Sequence, residues 1–145
     1  MNITLAKKED VAWIDEIIKI EFPYIEFNKK RIIEKINDSN FNILIARQGN
    51  IQVGFCETEL FIEKKEARLN AIFVEDAWRD QGIAKALISQ TINDCKHKKI
   101  QRIFLLVKEE NINAKAVYEK TNFKFVGMHD KIIDESNIEV WEQKI

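Results

Sequence analysis

Residues 100–107 constrain the fold more than any other stretch of this chain. Their sequence, IQRIFLLV, is almost continuously apolar, as expected of a strand covered on both faces. Helical patterns flank it. Residues 82–96 place Ala86, Leu87, Ile88 and Ile92 near one side, and residues 111–121 form a second helical stretch. A strand between two helices belongs in a sheet that carries helices on its faces.

The remaining elements follow from periodicity and punctuation. Residues 3–6 predict a short first strand. Residues 8–21 predict an amphipathic helix with Val11, Ile14, Ile17 and Ile18 on one side. Phe22-Pro23-Tyr24 ends it, because proline disfavours a helical residue before it. Asn28 is placed to cap a second helix carrying Ile32, Ile33 and Ile36. Residues 41–47 and 51–62 predict a hairpin about Gln48-Gly49-Asn50. Residues 68–74 form another strand, and 123–133 and 138–144 form a closing pair. The order β-α-α-β-β-β-α-β-α-β-β predicts an α/β (α+β) fold, a mixed sheet of six to seven strands with about four helices. No Pro/Gly/Ser-rich linker or repeat breaks the chain, so residues 1–145 are read as a single domain.

Composition excludes several function classes. Lys plus Arg total 23 and Asp plus Glu 24, a net charge of −1. A strongly basic nucleic-acid footprint is therefore absent. The basic cluster Lys96, Lys98, Lys99 and Arg102 leaves a nucleic-acid or protein adaptor as a remote alternative, to be tested by salt dependence. No apolar run approaches the roughly 20 residues of a membrane helix. The opening MNITLAKKED has no apolar core of a signal peptide. Cys56, Cys95, His97 and His129 have no zinc-ligand spacing, so no metal is expected. The two cysteines read as reduced, buried or half-buried thiols of a cytoplasmic protein.

The chemistry concentrates in one turn. After Ile72-Phe73-Val74 comes Arg79-Asp80-Gln81-Gly82-Ile83-Ala84, and then a helix. The first amides of a helix have no intrahelical acceptors. The helix dipole adds about half a positive charge there. Gly82 allows close approach of a ligand to the backbone, so the turn suits a phosphate. It is not a P-loop, lacking G-x-x-x-x-G-K-[ST], nor a dinucleotide fingerprint, lacking the first glycine.

A second motif follows the apolar strand: Asn111-x-x-Ala114-x-x-x-Tyr118-x-x-x-Asn122-Phe123. Together the two motifs resemble the GNAT superfamily of acyl-CoA-dependent N-acyltransferases. Its donor motif is Q/R-x-x-G-x-G/A, matched by Arg79 to Ala84. Its later motif is V-x-x-x-N-x-x-A-x-x-x-Y-x-x-x-G-F, matched by Val107, Asn111, Ala114, Tyr118 and Phe123. Asn122 replaces the glycine, at a helix end where a left-handed residue is expected and Asn is next best.

The resemblance implies the site residues. Backbone groups of Ile72 and Val74 would bond the pantetheine arm of acetyl-CoA. Amides of Gln81, Gly82, Ile83, Ala84 and Lys85 would cradle the pyrophosphate, with Arg79 at the head of the motif. Asn111 would face the pantetheine or acyl end, and also suits a helix N-cap. Tyr118 would be the general acid that protonates the leaving thiolate; a phenol, with an ordinary pKa near 10, is protonated at neutral pH. An amine would attack the thioester directly, with no covalent enzyme intermediate. An amide of Ile72 or Val74 would polarise the carbonyl.

The base has no copied position. Ribosomal-protein and N-terminal amine acetyltransferases of the superfamily often carry Glu or His just before the matching valine; here it is Leu106. Histone-type members carry Glu where this chain has Arg68. Glu57, Glu59, Glu66 and His129 are the remaining candidates, and Glu59 is carried forward as the base. Glu57 and Glu59 share a strand face by the period-two rule.

Relatives set acceptor specificity in the loop between the first two helices and in the last hairpin. Residues 21–27, EFPYIEF, resemble the Phe-Pro loop of protein N-terminal acetyltransferases, although Phe22 and Phe27 also suit packing of helices on the sheet. Glu21, Glu26, Asp130, Asp134 and Glu135 would form an acidic rim for a cationic amine. The acceptor is thus a peptide or protein amine, or a small amine such as a polyamine or amino acid. A non-catalytic acyl-CoA-binding module is the alternative that Leu106 and Arg68 leave open. A homodimer through the last strands is an expectation from the resemblance alone.

Overall fold

The computed structural model describes residues 1–23 and 28–145; the expectations for Tyr24, Glu26 and Phe27 lie outside it. Among the described residues eleven strands and α-helices follow one another: β1 (Asn2–Leu5), α1 (Val11–Glu21), α2 (Lys29–Ile36), β2 (Phe41–Gln48), β3 (Ile51–Phe61), β4 (Glu66–Val74), α3 (Ile83–His97), β5 (Arg102–Lys108), α4 (Ile112–Lys120), β6 (Lys124–Met128) and β7 (Ile138–Lys144). The strands form a seven-stranded sheet in the order β1-β2-β3-β4-β5-β7-β6. All neighbours are antiparallel except β4 and β5.

Two cores separate on the two faces of the sheet. On one, Ile14, Ile18 and Ile32 of α1 and α2 pack on Ile45, Phe55 and Phe73. On the other, Leu87 and Ile88 of α3 and Tyr118 of α4 pack on Cys56, Leu69, Ile103 and Leu105. Asn28 caps α2 as expected, its Oδ1 accepting from the Arg31 amide at 2.9 Å. Among the described residues no helix is long and apolar enough to cross a membrane.

The structure corrects three sequence expectations. Residues 8–10 make a 3-10 turn rather than the start of α1, held by the buried Asp10 carboxylate on the Lys7 amide at 2.9 Å. The strand expected over 123–133 is confined to Lys124–Met128. The apolar strand β5 is not covered on both faces: Ile103, Leu105 and Val107 are buried, whereas Phe104 and Leu106 are half-exposed. The core under α1 and α2 takes its strand residues from β2, β3 and β4. Phe104 instead stacks with Phe61, ring centroids 6.5 Å apart, and Arg102 lies 4.8 Å over the Phe104 ring.

Candidate active site

Strands β4 and β5 pair only from Glu66–Leu69 against Arg102–Leu105. Beyond that point β4 continues to Val74 and stays paired with β3, while β5 continues to Lys108 and stays paired with β7. The two parallel strands therefore diverge and open a cleft of about 1420 Å³. Glu59, Ile72, Val74, Arg79, Gly82, Ile83, Ala84, Lys85, Asn111 and Tyr118 all line it. Of the donor-site residues expected, Gln81 stands outside the lining, exposed two residues before the first residue of α3.

The two helices at the cleft begin differently. At α4 the Asn111 side chain accepts from the Ala114 amide at 3.1 Å, the ordinary N-cap. At α3 no side chain caps the helix, which starts from Gly82 in the left-handed conformation at φ +80°. Asp80, two residues earlier, is also left-handed at φ +62°. The leading amides of α3 are thus left for an external acceptor. Arg79 secures the turn, donating from Nε to the Val74 carbonyl at 2.9 Å and pairing with Asp76 at 2.9 Å.

The end of α4 explains its motif. Asn122 adopts φ +74°, as expected. Its amide donates to the Glu119 carbonyl at 3.2 Å, and the Phe123 amide donates to the Tyr118 carbonyl at 2.9 Å. That is the Schellman pattern, which brings the residue three before the cap onto the second residue beyond it. Here those residues are Tyr118 and Phe123, whose rings meet edge to face at 5.8 Å. The Tyr–Asn–Phe spacing therefore fixes Tyr118 in the cleft wall, 8% exposed.

The carboxylates on β3 are bound differently. Glu57 is buried, and both its oxygens accept from Lys35 Nζ, at 3.3 and 3.1 Å. Asn70 Nδ2 adds a bond to Oε2 at 2.9 Å. Burial, in spite of Glu57, lowers the Lys35 pKa. Glu59 accepts from Arg68 at 3.1 Å through Oε1 only. Glu66 is committed to Arg102 at 2.7 Å. Leu106 faces the cleft, while His129 is half-exposed outside its lining. Of the acidic rim, Glu21 lines the cleft and Asp134 pairs with Lys108 at 2.8 Å. Sequence reasoning missed Lys35 and Asn70. The one signal for Asn70 was an Asn inside an apolar strand, a residue depleted there.

Residues 9–134 match the family described as acetyltransferase (GNAT) domain. The [Ribosomal protein bS18]-alanine N-acetyltransferase of Haemophilus ducreyi is 27% identical over 68% of this chain and 66% of its own length. An uncharacterized Bacillus subtilis protein is 29% identical over 45% of this chain and 41% of its own. The matched stretch thus spans between two-fifths and 66% of these curated relatives. The ribosomal-protein-S18-alanine N-acetyltransferase of Escherichia coli superposes with a TM-score of 0.82 at 18% identity, over 99% of this chain and 93% of that one. The PaiA N-acetyltransferase of Thermoplasma acidophilum, solved in complex with coenzyme A, gives 0.81 at 20% identity, over 99% and 98%. With the diverging strands, the uncapped helix and the family match in agreement, the chain belongs to the GNAT acetyltransferase family.

Proposed function

We propose that this enzyme transfers the acetyl group of acetyl-CoA to a primary amine by direct attack in a ternary complex. The observation that carries the reading is the divergence of β4 from β5 with the uncapped start of α3 at its edge. The α3 amides and dipole accept the pyrophosphate. The edge of β4 at Ile72 and Val74, unpaired with β5, hydrogen-bonds the pantetheine arm and polarises the thioester carbonyl. Glu59, held by Arg68 through Oε1 and lining the cleft, takes a proton from the acceptor ammonium, directly or through water. The amine lone pair then attacks the carbonyl carbon. As the tetrahedral adduct collapses, the C–S bond breaks and Tyr118 gives its proton to the thiolate; the second proton leaves the nitrogen as the neutral amide forms and returns the Tyr118 phenolate to its protonated state, directly or through water.

The acceptor is a peptide or protein α-amine. The Phe-Pro loop and the naming of the Haemophilus ducreyi relative for ribosomal-protein alanine support that choice over a polyamine. Leu106 supports a second reading, a non-catalytic acyl-CoA-binding module, because it leaves no carboxylate at that cleft position.

Thermal unfolding with and without acetyl-CoA tests the donor site. Ligand at about 100 times its Kd stabilises by about 2.7 kcal/mol. At this size the midpoint rises by roughly 5–15 °C. ADP, lacking the pantetheine arm, should shift it less. Thiol release with Ala-initiated peptides or spermidine then identifies the acceptor. No shift at millimolar acetyl-CoA overturns the reading; a shift without thiol release from any amine selects the non-catalytic module.

A further inference from the structure

We propose that Asn70 is a positioning residue for this reaction: clamped between Arg68 and the buried Lys35–Glu57 pair, it locks the β-bulge that opens the cleft. The inference rests on the donor site proposed above and adds what holds that site in shape.

The bulge is visible in the register of β3 against β4. Thr58 pairs with Leu69 and Glu57 with Ala71, so Asn70 has no partner. The extra residue reverses the strand's faces. Before it, Ala67 and Leu69 enter the core under α3 and α4. After it, Ala71 and Phe73 enter the core under α1 and α2. Pairing with β5 stops at Leu69, the residue before the bulge. A bulge bends its strand and raises the local twist. The bend at Asn70 thus coincides with the apex of the cleft and sets the frame for every amide from Ala71 to Val74.

Such a frame needs a clamp, since an unpaired bulge residue gains nothing from the ladder. Asn70 Oδ1 accepts from Arg68 Nε at 2.7 Å, and its Nδ2 donates to Glu57 Oε2 at 2.9 Å. Lys35 Nζ closes the chain on Glu57 at 3.1 Å. Lys35 and Glu57 are 6% and 5% exposed. A buried ion pair is an inefficient way to stabilise a fold, because desolvation offsets most of the attraction. This pair spans from α2 to the bulge at the cleft wall, where it fixes geometry. The chain ends on Glu59, which Arg68 also holds. One network therefore orients both the β4 amides and the proposed base.

The test measures amide hydrogen exchange, acetyl-CoA affinity by calorimetry and thermal midpoints in four variants: Asn70→Ala, Lys35→Met, Lys35→Arg and the Lys35→Met/Asn70→Ala double. Asn70→Ala should speed exchange over Ala71–Val74 and weaken acetyl-CoA binding, each by about tenfold, the scale of one lost hydrogen bond to a charged group. Exchange in β2 should not change. Lys35→Met should reproduce this effect and Lys35→Arg should restore wild-type behaviour. The double variant should be no worse than either single, as members of one network are not additive. Wild-type exchange and affinity in Asn70→Ala overturn the proposal. So does a loss of protection spread evenly over the sheet, which marks a merely structural role. If the wild-type protein fails to bind acetyl-CoA, the donor site is wrong, and exchange at Ala71–Val74 alone decides the clamp.

Discussion

Gly82 and Asn122 adopt nearly the same left-handed conformation, φ +80° and +74°, at opposite ends of the cleft's helices. At Gly82 an added Cβ would meet no atom within 4 Å, so the cost of a side chain is conformational. Gly82→Ala should therefore lose about 1–2 kcal/mol, read as a lower urea midpoint with an unchanged slope. Tyr118→Phe tests chemistry at the same scale. Its ring keeps the contact with Phe123, so the fold and acetyl-CoA binding should be retained while turnover falls about 10²–10⁴-fold, the usual worth of a general acid. Equal turnover removes Tyr118 from the mechanism. Gly82, Asn111, Tyr118 and Asn122 were legible because each does its work within one turn of chain. Lys35, Glu57 and Asn70 were not legible as a unit. Their meeting depends on the register of β3 against β4 and on the seat of α2, which no local pattern encodes.

Elements were legible where periodicity and local caps agreed, and misread where neighbours decide. Strand β7 falls at the expected residues, and the caps at Asn28 and Asn111 hold. The apolar run of β5 suggested cover on both faces, but Phe104 and Leu106 are half-exposed; Phe61 and Arg102 shield Phe104, and Leu106 faces the cleft. The seat of α3 is another long-range feature. A Cβ on Gly54 would come within 2.8 Å of the Phe73 carbonyl and 3.4 Å of Ile83 and Leu87. The first contact is with backbone and cannot rotate away, so either β4 or the first turn of α3 must move. Gly54→Ala should cost about 1–3 kcal/mol by overpacking. It should also weaken acetyl-CoA binding, because Ile83 opens the helix that lines the cleft. Calorimetry on the folded variant checks this; unchanged affinity would mean that the strain relaxes away from α3.

For the molecule as a whole, pH reports how distant segments are tied. The Asp10 carboxylate is 0% exposed and joins the 3-10 turn before α1 to two strands. It accepts from Arg47 at 2.7 Å, from Gln52 at 2.9 Å and from the Lys7 amide at 2.9 Å. Burial alone would push its pKa up, but the bonds from Arg47, Lys7 and Gln52 outweigh it and leave the group below its ordinary value. A carboxylate lowered in the folded state contributes stability above its unfolded pKa, about 3.9. That contribution is lost as pH falls through the lower folded value. Asp10→Asn should thus be less stable than wild type at pH 7 by about 1–3 kcal/mol, the scale of a lost charged hydrogen bond. The gap should narrow at acid pH, where wild type loses the same term. Urea midpoints measured from neutral to strongly acidic pH give the difference directly; parallel curves would mean that Asp10 does not drive the acid limb. The thiols provide an independent check of the packed state. Burial pushes Cys56 up to about 11 and Cys95 up to about 12, so neither forms thiolate at neutral pH. Both should react with a disulfide reagent only on unfolding. Labelling rates for Asp10→Asn at acid and neutral pH, each divided by the rate of the unfolded chain at that pH, should then follow the same population of open molecules that the urea midpoints define.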